Sequence, residues 1–303
     1  MNPFVQIFIL SHNRVEYVRE CIDSALAQKY SHFEVILSDN SDNDEVKNAT
    51  IHYLKNPYFK YIKRNPSLSA LEHFNTLLNE PTGNFFMLFH DDDVLLPDAI
   101  TKAIEVFNRQ PNLVAVGGNA FFINERQKTF RYFSTQLKKR DVLVSNIDRF
   151  IYAYIKIKRD YPPFPSYIYR TSKVKSLQIN PQFGGKYADV SFLAQLCKIG
   201  SLYWIHDPIL HYRVHSSNDS ASISISHILS LCKFFLKESP TNRSLITKYK
   251  LKQYAVWTYQ RLGGKVQGLS PKRDFVIMKS VLLFFLTHPM NFIIYAIKLF
   301  LGK

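Results

Sequence analysis

Three consecutive carboxylates, Asp91, Asp92 and Asp93, follow His90 directly after the apolar run Phe85-Phe86-Met87-Leu88-Phe89. An uninterrupted apolar run of this length reads as a strand buried on both faces, so the acids stand at its carboxyl end. Adjacent carboxylates repel one another, and desolvating even one is costly. A hard divalent cation, Mg2+ or Mn2+, relieves that repulsion, because these ions take oxygen ligands and share a site with substrate phosphates. The competing reading is a solvated turn that caps the helix beginning at Pro97.

Other candidate groups also fall where strands end. Residues 5–10 form a first short strand, followed by Ser11-His12-Asn13-Arg14 and a helical pattern in Val15, Val18, Ile22, Ala25 and Leu26. Asn13 with Glu16 three residues later has the spacing of a capping box, and a helix amino terminus after a strand suits a phosphate. Residues 32–38 give a second strand, with Asp39 at its end, where ligands bind in open α/β sheets. A third strand covers 59–63, a helical segment 67–78, and a further helix runs from Pro97 to about Arg109. This succession predicts an α/β fold with helices on both faces of a mixed sheet.

Beyond it the pattern predicts a strand over 113–120, a hairpin over 121–133, a helix over 141–158, and a strand over 166–170. A helix containing Asp189 follows within 184–199, and then an extended stretch over 201–214, interrupted at Pro208. Residues 216–226 read as a small, polar loop. The expected division is a domain over 1–225, with halves 1–110 and 111–225, and a helical region over 226–303.

The chain has 303 residues, 46% of them hydrophobic and 15% aromatic, the composition of a folded protein. Cys21, Cys197 and Cys232 are odd in number and form no CxxC pattern, which speaks against a disulfide framework or zinc site and for a reducing cytoplasm. The amino terminus lacks a basic n-region and reads as a strand, not a signal peptide. Of the net charge of +15, a surplus of ten lies from Thr241 onward, where eleven Lys and Arg face the single acid Asp274. Two apolar runs, 281–286 and 292–297, lie within that basic tail, and neither is long enough to span a bilayer. Short apolar helices flanked by cations fit an interfacial anchor on an anionic membrane surface, at the inner face of the cell membrane. An ordinary helix pair packed on the core is the plainer alternative.

Together these residues resemble the family 2 glycosyltransferases, over about residues 4–220. The matches are Ser11-His12-Asn13-Arg14, the strand-terminal Asp39, Asp91-Asp92-Asp93 before Val94-Leu95-Leu96-Pro97, Asp189 in Tyr187-Ala188-Asp189-Val190, and Tyr212-Arg213-Val214-His215. The resemblance implies a GT-A (Rossmann-like) fold and an inverting transfer from a nucleotide-sugar, with a UDP-sugar favoured. It assigns the donor to Ser11, His12, Asn13, Arg14, Asp39, Arg64, Asp91 and Arg213, with Asp39 on the uracil. It assigns Mg2+ or Mn2+ to Asp92, Asp93 and His215, and the catalytic base to Asp189. Departures are His90 in place of the first acid of a D-x-D-D motif, Ala188 in place of a glutamate, and a segment 65–75 without the usual glycine and arginine.

The expected activity is therefore a hexosyl- or N-acetylhexosaminyltransferase acting on a polyprenyl-diphosphate-linked saccharide, in bacterial surface polysaccharide (O-antigen or capsule) synthesis. Two alternatives follow from the same residues. One is a nucleotidyltransferase acting on a sugar phosphate. The other is a basic nucleic-acid-binding protein, against which stand an apolar setting for the positive charge and the lack of any nucleic-acid motif.

Overall fold

Alternation along the apolar runs decides which side of the sheet each residue faces. The computed structural model describes residues 2–125, 129–135, 137–155, 161–175, 177–215, 224–261 and 286. Its first half contains β1 (Val5–Ser11), α1 (Val15–Leu26), β2 (Phe33–Asp39), α2 (Glu45–Thr50), β3 (Phe59–Lys63), α3 (Ala70–Asn79), β4 (Phe85–His90), β5 (Val94–Leu95) and α4 (Ala99–Arg109). The second half contains β6 (Leu113–Asn124), β7 (Thr129–Tyr132), β8 (Val142–Val144), α5 (Ile147–Ile155), β9 (Tyr167–Arg170), α6 (Thr171–Val174), α7 (Ala188–Leu196), β10 (Ser201–Val214), α8 (Ile225–Glu238) and α9 (Arg243–Arg261).

The described strands form a ten-stranded mixed sheet ordered β3-β2-β1-β4-β9-β6-β10-β5, with β7 on β6 and β8 on β10. The first four strands in that order are parallel, whereas β9 runs antiparallel to both β4 and β6. One sheet therefore runs across residue 110. In β4, Phe85, Met87 and Phe89 point into a core with Val18 and Ile22 of α1 and Ile100 and Phe107 of α4. Phe86 and Leu88 point the other way, to Leu77 of α3, Phe150 of α5, Phe192 of α7 and Phe235 of α8. Burial on both faces explains the uninterrupted apolar run. Gly117 and Gly118 in β6 permit close approach on both sides. A Cβ there would lie 2.8 Å from Tyr167 Cε1 and 2.5 Å from Ile209 Cγ1.

Three local expectations are corrected. The helix α1 has Arg14 at its N-cap and no side-chain cap, so the Asn13–Glu16 box does not form. Asn13 instead sits at φ 52 and donates to Asp42 Oδ2 at 3.1 Å, tying the β1–α1 turn to the loop after β2. Residues 142–144 are strand β8, not helix. The Asp141 carboxylate accepts from the His206 backbone N–H at 2.8 Å and from Tyr203 Oη at 3.0 Å, which pins that segment to β10. Pro208 does not end the extended stretch either. Strand β10 runs through it with register shifts on either side.

A capping box does occur at Ser69, whose hydroxyl accepts from Glu72 N while Glu72 accepts from Ser69 N. The expected loop at 216–226 falls for the most part, and the apolar tail apart from Leu286, outside the described residues. No helix among the described residues is long and apolar enough to cross a membrane.

Candidate active site

The carboxyl ends of β1, β2 and β4 lie side by side, because Ser11 is in register with Asp39 and Leu10 with His90. The residues just beyond them are thereby gathered at one edge. The third contributor comes from far along the chain. The two-residue strand β5 pairs antiparallel with β10, Leu95 opposite Leu210 and Val94 opposite His211. That short ladder carries Arg213 and His215 onto the acids.

Every acid in the cluster is buried, and each has a different set of partners. Asp91 accepts from Ser11 Oγ at 2.8 Å and from Arg14 Nη1 at 2.9 Å. Asp92 Oδ2 takes Arg14 Nη1 and His215 Nε2, both at 3.0 Å. Asp93 Oδ1 accepts from the backbone N–H of Arg213 at 2.8 Å, while its buried Oδ2 has no hydrogen-bond partner. Burial pushes Asp91 up to about 7 despite the nearby Arg14 charge. Burial, followed by the Asp92 charge, pushes Asp93 well above the usual carboxylate range. These are the electrostatics of a site with too little positive charge for its carboxylates.

Arg213 is 1% exposed and organises the wall behind the acids. Its Nε donates to the Asp92 carbonyl at 2.7 Å and its Nη2 to Glu20 Oε2 at 2.6 Å, and its guanidinium lies 4.6 Å above the Tyr17 ring. Tyr17 also lies 5.3 Å from the His215 ring. Glu20 and Tyr17 escaped the sequence reading, although their three-residue spacing places them on one face of α1.

The donor set fits a divalent cation. Single ligand atoms of His90, Asp92 and Asp93 all lie within 4.8 Å of one another. The orphaned Asp93 Oδ2 is the acceptor that such an ion would satisfy. His90, expected only as a break in an acidic motif, thus belongs to the group, whereas His215 bonds to Asp92 from outside it. The missed signal was alternation, since His90 continues the face set by Phe86 and Leu88.

Asp39 stands at the end of β2 as expected, but it is 0% exposed and heavily bonded. It accepts from Ser41 N at 2.9 Å, Tyr61 Oη at 2.6 Å and Lys63 Nζ at 3.2 Å. Direct contact with a base would require one of these groups to yield. His12 is placed beside it, its Nδ1 2.7 Å from the Asn40 carbonyl. Arg64 faces elsewhere. It pairs bidentately with Glu80 at 2.6 and 2.7 Å and donates to Ser38 Oγ at 2.8 Å, which occupies both edges of the guanidinium.

Asp189 opens α7 on the face of the sheet that carries Phe86 and Leu88. Among the described residues no hydrogen bond or ion pair joins it to the acidic cluster. Its Oδ1 is buried without a partner, and burial pushes its pKa up to about 6, against the pull of the backbone N–H groups of Val190 and Asp189. A carboxylate so placed is a stronger base than a solvated one and is still ionised near neutral pH. Its charge reaches the phenols of Tyr154, Tyr169 and Tyr187.

Comparison with known proteins finds relatives of this chain. The profile of the family described as Glycosyl transferase family 2 matches residues 6–168. An uncharacterised glycosyltransferase of Rickettsia prowazekii is 24% identical over 264 residues, covering 84% of this chain and 78% of the relative. Chondroitin synthase of Escherichia coli is 29% identical over 116 residues, 38% of this chain and 17% of that protein. Among solved structures, S. aureus TarS 1-349 in complex with UDP-GlcNAc superposes with a TM-score of 0.63 at 14% identity, over 85% of this chain and 74% of that one. Mannosyltransferase PcManGT from Pyrobaculum calidifontis, in complex with GDP-Man and Mn2+, gives a TM-score of 0.56 at 13% identity, over 100% and 88%. The shared architecture is the GT-A fold.

Proposed function

The chain belongs to glycosyl transferase family 2, and on that premise we propose that it inverts the anomeric centre of a UDP-sugar while transferring the sugar to a lipid-linked saccharide. Glycosyl transfer itself follows from the family. The observation that carries the mechanism is the Asp189 carboxylate, ionised near neutrality yet with a buried oxygen lacking any partner. An acceptor hydroxyl supplies the missing donor. As that hydroxyl attacks the anomeric carbon, its proton passes to Asp189, the bond from carbon to the phosphate oxygen breaks, and the nucleoside diphosphate leaves.

His90, Asp92 and Asp93 would hold a divalent cation, which supplies charge neutralisation for the departing diphosphate. Arg14 spans Asp91 and Asp92 with one Nη1 atom, holding the two carboxylates together at the mouth of the β1–α1 turn. Arg213 fixes the main chain of the acidic turn and His215 orients Asp92. Ser11, His12, Asn13 and the Asp39 loop form the adjoining edge, which we assign to the nucleoside. Asp39 acts there by fixing Ser41, Tyr61 and Lys63. The lipid-linked acceptor, the anionic membrane surface and a role in surface polysaccharide assembly are supported by the basic, apolar composition of the carboxyl-terminal tail.

A screen of sugar nucleotides with Mn2+ and Mg2+, read by release of the nucleoside diphosphate, tests the reading. UDP release that requires Asp92 and Asp189 is the expected result. Release of pyrophosphate from a nucleoside triphosphate would replace it with nucleotidyl transfer.

A further inference from the structure

A cavity of about 630 Å³ opens at the opposite edge of the sheet, where the parallel strands begin. Its wall is made by the residues before β1 and β4, the end of α4, and the β9–α6 junction. Strand β4 runs from this cavity to the acidic cluster, and its five residue steps separate the two by about 17 Å.

Among the described residues the lining contains two cations, Arg170 and Lys175, and no carboxylate. The Arg170 guanidinium lies 5.0 Å from the ring centres of both Phe85 and Phe107, and its Nε donates to the Leu113 carbonyl at 2.9 Å. This holds the fork in one orientation. Among the described residues neither Arg170 nor Lys175 pairs with an acid, and the Nη groups of Arg170 have no protein acceptor. Beside them Thr171 is only 9% exposed, and its buried Oγ1 has no hydrogen-bond partner. Asn84 uses its Oδ1 to accept from Phe4 N at 2.7 Å, which leaves its amide NH2 as a further donor at the rim.

A fixed guanidinium, a lysine, a buried hydroxyl and an amide, with no acid among them, make a donor set for an oxyanion. Arginine held in this way recognises phosphate through a planar pair of N–H groups, and an unmet buried hydroxyl gains most from an acceptor. The volume exceeds that of one phosphate and falls in the range of small-molecule sites. We propose that this cavity binds the phosphate or diphosphate group of a small phosphate ester, at a site separate from the one assigned to the sugar nucleotide.

The test uses the full chain in EDTA, with inorganic pyrophosphate as the soluble probe and, as the membrane-presented one, vesicles containing phosphatidic acid read against phosphatidylglycerol vesicles of equal charge, so that binding by the basic tail is common to both. Binding is followed by calorimetry for the first and by co-sedimentation for the second. Lys175→Gln is the principal variant, because the Lys175 side chain is exposed and, among the described residues, pairs with no acid. Thr171→Val removes the orphaned hydroxyl at nearly constant volume. The expected result is pyrophosphate binding weakened about tenfold or more by each change, the scale of one charge-assisted hydrogen bond. The same pattern seen only with vesicles identifies a headgroup as the source of the phosphate. Absence of binding to both probes, or binding that neither variant alters, overturns the proposal. Donor-dependent transfer by the variants reports separately on the site at the other edge.

Discussion

Replacing Asp189 by Asn should cost activity and increase stability at the same time. The carboxyl group has an ordinary pKa of 3.8, and burial in the fold pushes it up to about 6. At about 1.36 kcal/mol per unit, the folded protein gives up about 3 kcal/mol to keep this carboxylate ionised. Because the folded pKa is the higher one, the folded state binds the extra proton. The penalty is absent below about pH 4, grows as pH rises through the interval from about 4 to 6, and is constant above it.

Asn has the same shape and no charge, so the variant should be more stable than the parent by up to about 3 kcal/mol at pH 7.5 and equal to it near pH 4. Urea unfolding at the two pH values reads this directly. In parallel, transfer by the parent should fall about tenfold per pH unit below about 6, as the base becomes protonated. Transfer by the variant should be at least about a hundredfold lower at every pH. An Asn variant no more stable than the parent at pH 7.5 would refute the desolvated carboxylate. One that retained full transfer would refute its role as the base.

Arg213→Met should lower stability by about 3 kcal/mol or more in urea unfolding, since it strips the ion pair from Glu20 and the clamp from the Asp92 carbonyl in a buried setting. A variant as stable as the parent would show that the clamp is not needed. His90→Ala should weaken Mn2+ binding at least about tenfold, measured by the electron paramagnetic resonance signal of free Mn2+ without any nucleotide. Unchanged affinity would remove His90 from the ligand set. Deleting the chain beyond Asp274 should abolish co-sedimentation with anionic vesicles while nucleoside diphosphate release from the donor persists. If the truncated protein still sediments, the tail is not the anchor.

Much of this site was legible in the sequence because strand ends announce themselves. The runs that end at Ser11, Asp39 and His90 are apolar enough to be buried on both faces, and parallel pairing brings their carboxyl ends to one edge. Asp189 was legible only through the resemblance to the family, since an acid in the first turn of a helix is commonplace. Helix boundaries failed where a polar side chain took a distant partner. Asn13 left its cap for Asp42, and Asp141 turned a helical pattern into an edge strand by binding His206.

The residue types, their order and the burial of the strands were determined by the sequence alone, because apolar alternation and charge repulsion act locally. Only the tertiary structure decided which groups meet. The two-residue β5–β10 ladder, too short to show in any periodicity, brings Arg213 to Asp93, 120 positions away, and His215 to Asp92, 123 away, and the alternation of β4 places His90 in a group with Asp92 and Asp93 that could hold a metal ion. Likewise, Asp39 and Arg64 carry the residue types of a ligand site, yet the packing of β3 and α3 supplies each with protein partners first. Contacts between distant segments depend on register and on what else competes for each polar group, and neither quantity is written in the neighbouring residues.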